Sequence, residues 1–188
     1  MTKQAFIIID LQNDYYKDGK FPLVGIEEAT ENAATLLKEV RKLKDEYLII
    51  HVRHEFPVDP KDAPFFGKGT EGSQINEAVK NEPNELVITK DEPNAFVRTN
   101  LQQVLEDNKI SELIIVGAMS HLCVQGTSRA ASEKGYKVTV IQDAIATRDL
   151  EFGGVNVPAK QVAATVLVTL AFGYAKVITT KEQLQLLN

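Results

Sequence analysis

The sequence predicts an α/β fold in which a parallel sheet is packed between layers of helices. Two observations carry that expectation. Short apolar runs without polar alternation recur along the chain, as strands covered on both faces require. Between them lie stretches with apolar residues at helical spacing, and such a succession joins parallel strands by right-handed crossovers.

Ala5 to Ile9 (A-F-I-I-I) reads as a central strand that delivers Asp10 to the carboxyl edge of the sheet, where parallel sheets meet their ligands. From Ile26 to Leu43, residues Ala29, Ala33, Leu36, Leu37, Val40 and Leu43 share one helical face. Acids lead this helix and lysines close it, as the helix dipole favours. Leu48 to Ile50 makes a second strand, followed by His51-Val52-Arg53-His54. Glu55 to Gly72 is irregular, broken by Pro57, Pro60, Pro64, Gly67 and Gly69. Segments of this length usually serve function, and Phe65 and Phe66 within it either wall a pocket or pin the loop to the core.

Glu85 to Thr89 is the third strand and runs into Lys90, and an irregular link with Asn94 and Phe96 follows. Thr99 is placed to cap a helix carrying Leu101, Val104 and Leu105. The fourth strand, Leu113 to Val116, leads through Gly117-Ala118-Met119-Ser120-His121-Leu122 to Cys123, the chain's one cysteine. Val124, Thr127, Ala130, Ala131 and Lys134 then recur at helical spacing up to a stop at Gly135. Lys137 to Ile141 is the fifth strand, with Asp143 just beyond it. A link containing Gly153, Gly154 and Pro158 precedes a helix to about Phe172 that is apolar nearly all round. A second burying surface, most simply another subunit, would account for that helix. Ala175 to Ile178 is the sixth strand and Lys181 to Leu187 a last helix. All 188 residues fit one domain, with no repeat, linker or low-complexity tract.

A formal net charge of −5 argues against nonspecific nucleic-acid binding, and no apolar run is long enough to span a membrane. The single cysteine allows no internal disulfide. The opening Met-Thr-Lys-Gln lacks the basic-then-apolar pattern of an export signal, so the expected location is the cytoplasm.

Three residues on one sheet edge suggest chemistry. Cys123 in the first turn of a helix would feel unpaired N–H groups and the positive end of the dipole, which favour thiolate. Asp10 and Lys90, each following a different strand, add a proton acceptor and a cation. Each has an ordinary alternative: a buried structural thiol, a turn aspartate, a surface lysine. The set is more specific than its members.

At these residues the chain resembles the isochorismatase-like cysteine hydrolase superfamily, which includes nicotinamidases, N-carbamoylsarcosine amidohydrolases, streptothricin hydrolases and isochorismatases. The resemblance covers nearly the whole chain. It rests on I-I-D-L-Q-N-D from Ile8, P-F-F-G-K-G-T-E-G from Pro64, V-I-T-K-D-E-P-N-A-F from Val87, V-G-A-M-S-H-L-C-V-Q-G-T-S-R-A-A from Val116, and Asp143-Ala144. It implies a three-layer α/β/α sandwich, Rossmann-like, with a six-stranded parallel sheet. It also implies Cys123 as nucleophile, Asp10 as general base and acid, Lys90 lowering the thiol pKa, the backbone N–H groups of Met119 and Cys123 as oxyanion hole, and a cis Ala118-Met119 bond.

The metal-binding Asp-x-His of nicotinamidases has no counterpart here; the corresponding region offers His51, Arg53 and His54. No metal or other cofactor is therefore expected. Arg53, His54, Phe65, Phe66, Asn94, Phe96 and His121 are the candidate substrate-binding residues. The expected activity is cleavage of a small amide or lactam through a Cys thioester by a homo-oligomer, dimer or tetramer. Two alternatives stand beside it: a vinyl ether hydrolase using Asp10 without the thiol, and a non-enzymatic or redox-sensing protein.

Overall fold

The computed structural model describes residues 4–187. Met1 to Lys3, on which the expectation about an export signal partly rests, lie outside the described residues. The chain runs β1 (Gln4–Ile9), α1 (Ile26–Lys42), β2 (Tyr47–His54), β3 (Leu86–Lys90), α2 (Leu101–Asp107), β4 (Glu112–Ala118), α3 (Gln125–Glu133), β5 (Lys137–Ala146), β6 (Leu150–Phe152), β7 (Val155–Val157), α4 (Ala159–Gly173), β8 (Lys176–Ile178) and α5 (Thr180–Leu186). Six strands form one sheet in the order β3-β2-β1-β4-β5-β8, and every neighbouring pair is parallel.

From β1 the chain winds outward through β2 to β3, then returns to place β4 on the other side of β1. The crevice at the carboxyl ends of β1 and β4 is thus the topological switch point, where open α/β sheets bind ligands. Alternate residues of each strand face opposite ways. Phe6, Ile8, Ile49, Ile114 and Val116 pack under Leu36, Leu37 and Val40 of α1. Ile7, Ile9, Ile50, Val52, Leu113 and Ile115 pack under Leu101, Leu105, Ala131, Val166 and Leu170 of α2, α3 and α4. This is the three-layer sandwich that the apolar runs and helical spacing predict.

Gly117 lets β4 approach β1. At φ +126°, a Cβ there would stand 2.0 Å from the Ile9 carbonyl oxygen. Several features depart from expectation; Asp143, expected just beyond the fifth strand, lies within β5. The link after β5 holds a short hairpin, β6–β7, too brief for a strand signal. Ser120–Val124 is a π-helical turn rather than the start of a regular helix. Thr179, unnoticed in the sequence, caps α5 in a capping box with Glu182. No helix among the described residues is long and apolar enough to cross a membrane.

Candidate active site

Lys90 is the hub. It ends β3 in register with His54 at the end of β2. Its Nζ lies 2.7 Å from Asp10 Oδ2, 3.0 Å from His54 Nδ1 and 3.3 Å from Cys123 Sγ. All four residues are buried, Asp10 completely. An ammonium carries three protons and no lone pair, so carboxylate, imidazole nitrogen and sulfur each accept from it.

The neighbouring backbone holds these groups in place. Asp10 sits at φ +52°, a region that a non-glycine residue occupies at a cost of about 1–3 kcal/mol. Its N–H donates to the Val52 carbonyl at 2.9 Å, and its carbonyl accepts from Gln12 N at the same distance. The buried Gln12 amide then clamps the end of β2. Its Oε1 accepts from His54 N at 2.8 Å, while Nε2 donates to the carbonyls of His54 and Ser73 at 2.9 and 2.8 Å. Asp14 secures the long loop: Oδ2 accepts from Phe66 N at 2.6 Å and Oδ1 from Lys20 N at 3.1 Å. Cys123 enters from β4 through a cis Ala118-Met119 bond and the turn at Ser120–Val124.

The resting thiol differs from the sequence expectation, while Lys90 is the expected cation. Burial, then the Asp10 carboxylate, push the Cys123 thiol up to about 12, against the downward pull of Lys90. The sulfur therefore rests as a thiol. Burial works to lower the Lys90 pKa, but Asp10 and Cys123 outweigh it and raise it, so Lys90 stays an ammonium. Burial and then Lys90 bring His54 down to about 4, leaving its imidazole neutral. Burial of the sulfur, and then the carboxylate beside it, oppose the pull toward thiolate expected at a helix terminus.

The candidate substrate-binding residues separate into two groups. His54 lies in the cluster. Phe66, fully buried, lies with Phe65 in an aromatic wall that continues through Tyr15, Phe21 and Phe56 and reaches the His54 ring, whose centroid is 4.7 Å from Phe56 and 6.3 Å from Phe66. Arg53 instead belongs to the α1 face, donating to Thr89 Oγ1 at 2.9 Å and pairing with Glu55 at 3.4 Å. Side chains of a strand alternate, and Arg53 precedes His54, so the two point to opposite faces. Phe96 packs against Tyr136 and under Lys134, on the flank of α3. Asn94 turns back on its own link, accepting from Phe96 N at 3.0 Å. His121 Nδ1 pairs with Thr147 Oγ1 at 2.7 Å. Asp143 joins α5 to the sheet, accepting from Thr180 N and Oγ1 at 2.7 and 2.8 Å.

Ligand atoms of Asp10, His54 and Cys123 all lie within 4.8 Å of one another, a donor set able to hold a metal ion. The Lys90 ammonium already touches all three, so a metal ion does not fit among them. His51 is elsewhere, on the α1 face, with Nε2 2.9 Å from Glu85 Oε2.

The family model of the isochorismatase domain matches residues 4–182. The chain is an isochorismatase-family hydrolase. A solved structure from Oleispira antarctica, assigned to the isochorismatase hydrolases, is 43% identical and superimposes with a TM-score of 0.91 over 97% of this chain and 96% of its own. The uncharacterised isochorismatase family protein YddQ of Bacillus subtilis is 39% identical over 177 residues, 94% of this chain and 96% of its own. A streptothricin hydrolase of Streptomyces noursei is 30% identical over 152 residues, 78% of this chain and 51% of its own.

Sequence reasoning overlooked how Gln12 and Asp14 support the site of this isochorismatase-family hydrolase. Both stand in the I-I-D-L-Q-N-D stretch, and the available signal was a run of amide and carboxylate side chains directly after a buried strand, where unpaired backbone groups gather.

Proposed function

We propose that this isochorismatase-family hydrolase cleaves a carbon–nitrogen bond of a small amide or lactam through a thioester on Cys123. One observation carries the reading: a buried ammonium touches a buried carboxylate and the one thiol of the chain at once. A structural cysteine needs neither neighbour, whereas an acyl-transfer nucleophile needs both a proton acceptor and a compensating cation.

Because the sulfur rests as a thiol, the proton moves as attack proceeds. Asp10 takes it while sulfur bonds to the carbonyl carbon. The carbonyl π pair becomes an oxyanion, which the N–H groups of Met119 and Cys123 receive. Collapse of this intermediate breaks the C–N bond, and Asp10 returns the proton to the departing nitrogen. Water, losing a proton to Asp10, then opens the thioester; the acid leaves and the sulfur regains its proton. Lys90 stays charged throughout, balancing whichever of Asp10 and Cys123 is anionic. The streptothricin hydrolase among the relatives is a hydrolase by name, and the thiol favours acyl transfer over vinyl ether hydrolysis, which requires no nucleophilic sulfur.

The test is release of ammonia or amine from a panel of small primary amides and lactams, with intact-protein mass spectrometry to catch the acyl adduct. Cys123→Ala is expected to lose about 10⁴-fold or more in kcat, as removal of a nucleophile does. Asp10→Asn should lose on the order of 10³-fold. A Cys123→Ala protein that still hydrolyses a vinyl ether, while Asp10→Asn does not, would instead establish the thiol-independent reaction. We further propose that the protein works in the cytoplasm and that a second copy of the chain covers the apolar outer face of α4.

A further inference from the structure

We propose that His54 binds the substrate directly: its Nε2–H, buried beside Cys123, takes a second, uncharged hydrogen-bond acceptor carried by a small amide substrate. The inference rests on the amide-hydrolysis reading and narrows its substrate class.

Lys90 fixes the tautomer. Its ammonium lies 3.0 Å from Nδ1 and can only donate, so Nδ1 offers its lone pair and the ring proton resides on Nε2. That Nε2 is buried without a hydrogen-bond partner among the described residues, although His54 itself is only 7% exposed. An orphaned buried donor is destabilising. A ligand acceptor would remove that cost.

The ring is also held still. Gln12 clamps the His54 backbone through both its N–H and its carbonyl, and the aromatic faces of Phe56 and Phe66 border the imidazole. Phe66 continues into Tyr15, with ring centroids 4.5 Å apart. Tyr15 stands close enough to the reacting groups that Asp10 and Cys123, after burial, raise its pKa. The cluster's cation is committed to Asp10, and the imidazole stays neutral above its pKa of about 4. A substrate carboxylate at this position would meet a dipole without a free counter-charge, so the acceptor is a neutral one such as a ring nitrogen or a second carbonyl.

The probes are benzaldehyde and the 2-, 3- and 4-pyridinecarboxaldehydes. All share one shape, and only the last three carry a ring acceptor. Each adds reversibly to a thiol: an S–C bond forms, the carbonyl π pair moves to oxygen, and the thiol proton ends there, giving a thiohemiacetal. Adducts on Cys123 are detected by NMR of a ¹³C-labelled carbonyl carbon, and affinities come from titration. Each affinity is divided by the equilibrium constant for N-acetylcysteine in solution, which removes the differing electrophilicities.

At least one pyridine isomer should bind about fivefold or more tighter than benzaldehyde after this correction, the range a single neutral hydrogen bond supplies. His54→Phe should bring the ratio to near one. His54→Gln, which retains an amide donor, should keep part of it. The ratio should stay flat from pH 5.5 to 8.5. If His54→Phe does not fold, His54→Asn, whose short amide cannot reach the same position, is read in its place with the same expectation. No preference in the wild-type protein, or a preference that survives His54→Phe or His54→Asn, overturns the role of His54 and leaves amide hydrolysis standing. Absence of any adduct on Cys123 overturns the nucleophile itself, and the role of His54 with it.

Discussion

At the scale of single residues, the site depends on one compensated charge. Asp10 and Lys90 are both fully out of water, and a buried ion that loses its partner costs about 3–5 kcal/mol. Lys90→Met should therefore destabilise the protein by that amount in chemical denaturation, and Asp10→Asn combined with Lys90→Met should recover most of it. Additive losses would mean that the pair is not the source of the cost. The thiol gives a second readout. Its pKa is raised from an ordinary value near 9 to about 12, so the thiolate fraction grows with pH well beyond the point where a free cysteine has levelled off. Alkylation of Cys123 by iodoacetamide should be slow at pH 8 and still climb about tenfold per pH unit between pH 9 and 11, while circular dichroism reports an intact fold. A plateau near pH 9 would show an unperturbed thiol. Asp10, Lys90 and Cys123 were legible as candidates because each follows a strand and together they match one motif set. The direction of the thiol's shift was not, since it depends on how far water is excluded and on which carboxylate oxygen approaches the sulfur.

At the scale of elements, the reach of Lys90 depends on how β3, an edge strand, is fixed. Glu85 immediately precedes it and is held by Arg41 of α1 at 2.7 and 2.8 Å, by the Glu82 N–H at 2.8 Å and by His51 of β2 at 2.9 Å. Burial alone would raise the Glu85 pKa. The hydrogen bonds from Arg41, Glu82 and His51 prevail and hold it down to about 2, against an ordinary 4.5. A depressed carboxylate pKa contributes stability that is fully present above the unfolded value and disappears as pH falls through the folded one. Glu85→Gln should thus destabilise the protein by on the order of 2 kcal/mol at neutral pH. The difference from wild type should shrink as pH falls from 4.5 toward 2 in urea titrations. A gap that stays constant with pH would separate Glu85 from the acid limb. The strand itself was plain in E-L-V-I-T, and so was the order of strand and helix. The bridge from Glu85 to Arg41 spans 44 positions, so no local spacing rule could reveal it. The hairpin β6–β7 was missed for the opposite reason: each strand has three residues, too few for alternation to register.

At the scale of the whole molecule, the switch point between β1 and β4 explains why one end of the sheet gathers the chemistry. The opposite question, how the outside is finished, turns on α4. Val162, Val166 and Leu170 face the sheet, yet Val168 is 64% exposed and Phe172 95%. No charged residue falls between Lys160 and Lys176. A surface helix ordinarily carries charges on its outer face, and exposed large apolar side chains on a helix uncharged beyond its first turn suit an association surface. The second copy proposed above would suit this face, since a surface without charges of either sign can be complementary to itself and twofold contacts pair like with like. Sedimentation at micromolar concentration should show at least a dimer. Phe172→Glu together with Val168→Lys should shift it to monomer with the far-ultraviolet spectrum preserved, because both side chains lie outside the core. A wild-type protein that sediments as a monomer, or a double variant that still associates, would remove α4 as the interface. If the dimer dissociates and amide hydrolysis persists, each subunit holds a complete site, the outcome expected from Asp10, His54, Lys90 and Cys123 meeting within one chain.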